Sequence, residues 1–411
     1  MRGLIVATSC LLFGQVAFAQ QNTLMDSITR ELNVLQSTTS AEPEPIERIK
    51  TALKPVVEQV ERKSSQIEII FGFIPPALYD AVAASARKEL AKNPNLENYL
   101  SDLRWRREFK QQATAGLFML QLDRAVELRR QQWKEAEKAV NELAKRAAVP
   151  SALAIEAPKL GSEAKRALKT LLTEQQFDFW EKNNASVRVT SFSTSMFEGD
   201  VDERKRKLKT KLNDVAAART AWLTEEFKLN AAQTRKLELA AKGAISQLID
   251  GRMEAEAKFA KMLQEGIPKF QNKDAQLAMA DISTLLTRFS RWQGLVNSVL
   301  NDDQKAALKQ FNLRRATLER TAYNRMSTLS LCRNLTLNAK QLKGFANLLD
   351  ELVPPPDPNK IGTPYSGLGK LVNVDATQMI EVIGAENWAL LKPELERMRV
   401  TMGEEEEEEE Q

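Results

Sequence analysis

Chemistry in this chain would have to run on carboxylates, lysines, tyrosines or serines, because its 411 residues include no histidine. Without imidazole, neither a Ser-His-Asp nor a Cys-His nucleophile can be activated, and every metal site built on histidine is excluded. Carboxylate-bridged di-metal bundles ordinarily use Glu-x-x-His and are disfavoured for the same reason. Carboxylates are plentiful, as at Glu135 and Glu137 or Glu225 and Glu226, and two acids can drive glycoside hydrolysis without histidine. Their spacing is that of solvated helix faces, so no catalytic, cofactor-binding or metal-binding residue stands out. Gly362 to Lys370 has the outline of a phosphate loop but fails as one, since Pro364 occupies the first required glycine and Leu371 follows the lysine. Cys332, in a Leu-Ser-Leu-Cys run, reads as a buried small residue rather than a reactive thiol.

Two basic runs are better candidates for a binding role. Arg104, Trp105, Arg106 and Arg107 with Phe109 and Lys110 form the densest basic and aromatic cluster, and Arg204 to Lys211 is the second. Phosphates, sulfated glycans or lipid headgroups suit such clusters. An anionic envelope polymer is the expected ligand at Arg104, Arg106, Arg107 and Lys110.

That expectation depends on export. Met1-Arg2-Gly3, an apolar stretch through Leu11-Leu12-Phe13, and Ala17-Phe18-Ala19 have the layout of a signal peptide cleaved after Ala19. A lipoprotein signal would need Cys10, which lies inside the apolar stretch. No later segment has the length and apolarity of a membrane-spanning helix. The expected destination is the periplasm or the medium, with no nucleic-acid partner. Removing the signal leaves Cys332 alone, so no intramolecular disulfide can form. Between residues 20 and 403 there are 58 basic against 48 acidic residues, and Glu404 to Glu410 then form an acidic run. A run of like charge reads as a solvated, disordered tail, although one folded back on the basic body is the alternative.

The elements that carry these residues are helices. Only Gly116 interrupts the stretch between Pro94 and Pro150, and no proline occurs between Pro158 and Pro268. Met119, Val126, Trp133 and Val140 recur every seven residues, with Leu122, Ala136 and Leu143 between them and Arg129 breaking the second series. That is a heptad seam of antiparallel helices packed at shallow angles. Leu237, Ala241, Ile245, Leu248, Ala255, Phe259 and Met262 mark one face of another long helix, apart from an exposed-looking Arg252. Val187 to Phe192 is a connector, and the prolines from Pro354 to Pro364 end a helix. A gapless offset of 208 places Leu100 on Leu308, Leu103 on Phe311, Arg106-Arg107 on Arg314-Arg315, Leu160 on Leu368, Leu172 on Ile380 and Trp180 on Trp388, the trace of a duplication or of chance matching between helices.

A short motif marks the helix starts: an apolar residue, then Thr, Asn or Asp, two residues, and Gln. It occurs at Leu172-Thr173 to Gln176, Leu229-Asn230 to Gln233, Leu300-Asn301 to Gln304, Leu337-Asn338 to Gln341 and Val374-Asp375 to Gln378. In a capping box of this kind the polar side chain accepts from a first-turn N–H, and Gln reaches back to the cap. The last three begin 37 residues apart, about one helix hairpin with its loops.

These boxes resemble the LTxxQ repeat of Spy/CpxP-type periplasmic stress proteins, small helical proteins that act as chaperones or stress modulators. Met196-Phe197-Glu198-Gly199-Asp200, Arg204 to Leu208, Lys236-Leu237-Glu238-Leu239-Ala240 and Leu337 to Pro356 resemble a family of exported helical proteins common in planctomycetes. Lys242-Gly243-Ala244-Ile245 stands where that family carries a Gly-Asp-containing stretch. The resemblance implies fold and export and lends nothing to a site.

The expected protein is therefore all-α, an elongated bundle or array of helical hairpins. A signal peptide (1–19) would precede an N-terminal helical region (20–190), a C-terminal helical region (191–403) and an acidic tail (404–411). A non-enzymatic binding or chaperone-like role with protein clients is the leading expectation. A scaffold with one dedicated partner is the second, and a carboxylate-dependent hydrolase the third.

Overall fold

The computed structural model describes residues 24–63, 76–146, 162–184, 200–264, 289–332, 334–353 and 368–402, with single positions at 274, 277, 278, 286 and 355. The signal segment, the connector around 190 and the acidic tail lie outside these residues. Among the described residues every regular element is helical, as the all-α reading requires. No helix there is long and apolar enough to cross a membrane.

The first seven helices are α1 (Leu24–Thr39), α2 (Pro43–Lys63), α3 (Pro76–Glu89), α4 (Leu96–Val126), α5 (Trp133–Arg146), α6 (Ser162–Leu171) and α7 (Glu174–Asn184). The next are α8 (Val201–Glu226), α9 (Ala231–Gln264), α10 (Ser290–Val299), α11 (Asp302–Cys332), α12 (Ala339–Leu352), the single turn α13 (Leu368–Leu371), α14 (Ala376–Ile383) and α15 (Ala385–Met402). Starts are set by local chemistry: proline, whose missing N–H is harmless there, opens α2 and α3, and Asp200 caps α8 by accepting from the N–H groups of Asp202 and Glu203.

Set side by side, α1–α7 and α8–α15 follow one plan. Among the helices named above, three precede a helix of 31 residues in each half, α4 or α11, and further helices pack back on that long one. The turn register between halves is 209, from Arg129 to Asn338, which pairs Arg106 with Arg315, both buried and salt-bridged, and Ala113 with Ala322, both fully buried. A gapless offset of 208 therefore finds the right elements but misses the register by one. It drifts further downstream, where Gly384 takes the place of Thr173, so Trp388 answers to Phe177 rather than to Trp180.

The long helices pack antiparallel, since Arg315 meets Asp123 and Ala322 meets Gly116. A Cβ at Gly116 would stand 3.4 Å from the Ala322 Cβ and 3.5 Å from its Cα. The lone glycine of the stretch from Pro94 to Pro150 thus marks the close approach of two backbones. The three larger cores among the described residues are Leu24 to Leu103 for α1–α3 on the start of α4, Ala115 to Phe311 for the middle, and one at the end of α11 with α12–α15 and the centre of α4. The middle core takes residues from both sides of 190, such as Trp180 and Leu208.

The heptad seam is not one continuous helix. Met119, Val126, Trp133 and Val140 are all buried in the middle core, but α4 stops at Val126, Glu127 adopts φ 52°, and a 3₁₀ turn at Arg130–Gln132 leads into α5. Left-handed residues stand at corresponding turns elsewhere, Ser40 after α1 and Lys228 after α8. Glycine or asparagine is usual at such positions, and its absence is why the break could not be read. Arg252 also differs from expectation: it is half-buried, donating to Glu256 and to the Leu277 carbonyl. The 37-residue interval from Leu300 to Leu337 is a single long helix, α11, rather than a hairpin.

Leucine at position 116 would have to displace α11, and is expected to lower stability by about 1–3 kcal/mol in urea unfolding. Gly116→Ala makes only an ordinary contact and gains roughly 1 kcal/mol of helix propensity, so it is expected to be neutral or stabilising.

Candidate functional site

The capping boxes hold as local structure in four of five cases, and the tertiary fold then joins helix starts in facing pairs. Asn230 Oδ1 accepts from the Gln233 N–H while Gln233 Oε1 accepts from the Asn230 N–H, and Asn301 with Gln304 does the same. Each glutamine has its amide nitrogen left over. Gln233 Nε2 donates to the Val299 carbonyl (2.8 Å) and to Gln304 Oε1 (2.9 Å), and Gln304 Nε2 donates to the Phe227 carbonyl (3.0 Å). Each box therefore satisfies the end of the helix that precedes its partner, in a reciprocal clasp.

The same clasp recurs in the first half. Gln176, of the Thr173 box, donates to the carbonyls of Val126 and Glu127, while Gln132 donates to the Leu171 carbonyl and to Gln176. Gln132 was missed from sequence because its cap position is Arg129, a residue type that signals no cap. A third clasp joins Gln341, donating to the Ile383 carbonyl, with Asn387, donating to the Thr336 carbonyl. Gly384 takes the cap position here with φ 85°, its Cα so close to Gln341 that a Cβ would stand 3.4 Å from Nε2. The fifth predicted box is only half made: Asp375 accepts from the Thr377 N–H at 2.7 Å, but Gln378 is exposed and Asn387 has the clasp position. A reduced form at the first turn has Asn93 donating to the Thr39 carbonyl.

The basic cluster on α4 is taken apart by the fold. Arg106 is buried and bidentate on Glu31, with bonds of 2.6 and 2.8 Å, and its Nε donates to Asp102. Tyr99 donates to the same Glu31 carboxylate at 2.7 Å, and burial followed by the Glu31 charge pushes its phenol well up. Asp102 also accepts from the Ala339 N–H at the start of α12. Arg107 is half-buried against Asp80, Lys110 is buried near the Tyr79 ring, and of the four only Arg104 is exposed. These residues do not present one face to an anionic polymer. The second run, on α8, stays at the surface at Arg206, Lys207, Lys209 and Lys211.

A further charged cluster, unmarked in the sequence, lies beneath the α4–α5 turn. Arg315 of α11 reaches Asp123 through Nε (2.8 Å) and Nη2 (2.9 Å) and also pairs with Glu127, which in turn pairs with Arg219 of α8. The Arg315 guanidinium lies 4.5 Å from the Phe311 ring centroid and 4.8 Å from that of Trp222. Burial pushes the Asp123 carboxyl up, against the opposing pull of Arg315. Two carboxylates one helical turn apart are the geometry a hydrolase would need, but Asp123 is 3% exposed and Glu127 9%. Their oxygens are occupied by arginines and by the Leu128 N–H. Glu135 and Glu137 are exposed and apart from this cluster, while Glu225 and Glu226 pair with Arg129 and Arg130. Cys332 is half-buried, with burial holding its thiol protonated. Among the described residues no group of three acidic or cysteine side chains is arranged to hold a metal ion.

Compared with known proteins, the chain matches no family model, no curated protein and no solved structure.

A simple capping box accepts Glu as readily as Gln, whereas a clasp needs the amide donor. Gln304→Glu is therefore expected to lower stability by about 1–3 kcal/mol through the orphaned Phe227 carbonyl, while Gln378→Glu changes it by less than about 0.5 kcal/mol. Urea unfolding of the two variants checks the pair. Lys110 carries a second expectation, since burial lowers its amine to about 7. Between pH 7 and the ordinary lysine range the unfolded chain binds the proton and the folded chain does not, so stability should rise with pH across that window, by about 1.4 kcal/mol per unit. Lys110→Met should flatten the rise, measured by urea unfolding at pH 7 and 9.

Proposed function

We propose that this chain is an exported, non-catalytic binding protein of the cell envelope that acts on protein clients in a chaperone-like way. The reciprocal clasp carries the reading. Four of its six helix starts are boxes of the Leu-Thr/Asn-x-x-Gln type, which resemble the LTxxQ repeat of the Spy/CpxP-type stress proteins with Asn in place of Thr at three of them. A signal-like start at residues 1–19 agrees with that setting, as does the absence of any membrane-spanning helix among the described residues. The buried carboxylates are committed to arginine partners that hold helices together, which favours binding over hydrolysis. Exposed apolar side chains are available on several helices, among them Leu239 (61%), Leu390 (60%) and Val201 (49%).

Residues 20–411 should suppress the aggregation of several unrelated unfolding proteins at near-stoichiometric ratios, followed by light scattering. Failure with all of them, together with recovery of one salt-resistant partner from the envelope fraction, would replace this reading with that of a dedicated scaffold.

A further inference from the structure

Among the described residues the two halves differ most where α8 and α9 outrun their counterparts. Measured from the turn that joins them, α8 has 26 residues against 16 in α1, and α9 has 34 against 21 in α2. The excess lies at the ends away from the clasp, and at 1.5 Å per residue it extends this hairpin by roughly 15–20 Å. Phe259 and Ala255 bury against Ala278 in a small core of their own there.

Basic residues crowd the first turns of this arm. Arg204 and Lys205 turn toward α9, where they meet Glu256 (3.7 Å) and Asp250 (3.8 Å). Arg206, Lys207, Lys209 and Lys211 are exposed, and no acidic residue occurs between Arg204 and Asn213. Among the described residues Lys207 alone of the four has an ion pair, an exposed one with Glu203, and pairs of that kind hold weakly. Lys207 and Lys211 are one turn apart, as are Lys205 and Lys209, so like charges repeat every ~6 Å along the axis. Such pairs disfavour an isolated helix.

We infer that the outer face of the α8 arm binds a linear anionic polymer, one whose phosphate or sulfate groups follow each other closely along a flexible chain. Flexible cationic side chains on consecutive turns, Lys207 and Lys211 along one flank and Arg206 and Lys209 along the other, suit an extended polyanion, which can follow the helix between them. A membrane surface fits less well. An interfacial helix needs its apolar face free for lipid, and here Leu208 and Leu212 are buried in the middle core. The surface is separate from the clasps, so its failure and that of the client-binding reading are independent.

The test is binding of residues 20–411 to fluorescent long-chain polyphosphate and, in a second arm, to heparin, across a salt series. Four contacts predict a log–log salt slope near −3, at about −0.7 per charge on a flexible chain. Replacing Arg206, Lys207, Lys209 and Lys211 together by Gln should weaken binding at least tenfold and flatten that slope, with an unchanged circular dichroism spectrum. A control removes equal charge from exposed sites in the first half, Lys54→Gln, Lys88→Gln, Lys92→Gln and Lys138→Gln, and should lose less than threefold. Preference for polyphosphate or for heparin tells phosphate from sulfate. Equal losses in the two variants, no binding to either polymer, or tighter binding to phosphatidylglycerol vesicles would overturn the inference.

Discussion

Two carboxylates and two guanidinium groups buried where α4, α8 and α11 meet set the terms for the rest of this structure. Asp123 and Glu127 belong to the first half of the chain, Arg219 and Arg315 to the second. Neither pair can be buried without the other, because an uncompensated ion in the interior costs several kcal/mol. The two halves are therefore obliged to fold against one another. The aromatic faces of Phe311 and Trp222 support Arg315, and Arg314 stacks on Trp133 beside them. Ion pairing gives the site its register while the aromatic surface supplies apolar burial.

Glutamine recurs at the helix starts for a related reason. Consecutive helices that turn back sharply leave carbonyls at one end and N–H groups at the next, and burying those ends demands partners. A glutamine amide has an acceptor for its own cap and a donor for the facing turn, so two facing boxes complete each other. Asn387 does the donor's work where Gly384 has no side chain to return the bond. Repetition of this unit accounts for a chain of this length holding together around several modest cores.

Against that repeated plan the differences between halves acquire meaning. Arg106 and Arg315 occupy equivalent positions on the long helices and both are neutralised internally, but one binds α1 within its own half and the other crosses to α4. Among the described residues the α8–α9 arm is longer than α1–α2, and its exposed basic residues are the part of the surface least explained by the needs of folding.

Much of this was legible in residue order. The apolar stripes of α4, α5 and α9 pointed to an all-helical chain, and the boxes at Thr173, Asn230, Asn301 and Asn338 to four of its helix starts, since periodicity and capping are local physics. What the order could not show was any property of pairs distant in the chain. Arg106 and Lys110 look like surface charges until Glu31, 75 positions away, and the α3 face cover them. The α4 stripe runs unbroken through Glu127 because the left-handed turn there is held by Arg219 and Arg315 rather than by a glycine. Local sequence determined the helical character of the chain and where several of its helices begin. Only the tertiary structure decided which charges are buried, which glutamines face each other and which basic run is left outside, because each of those depends on two segments arriving at the same place.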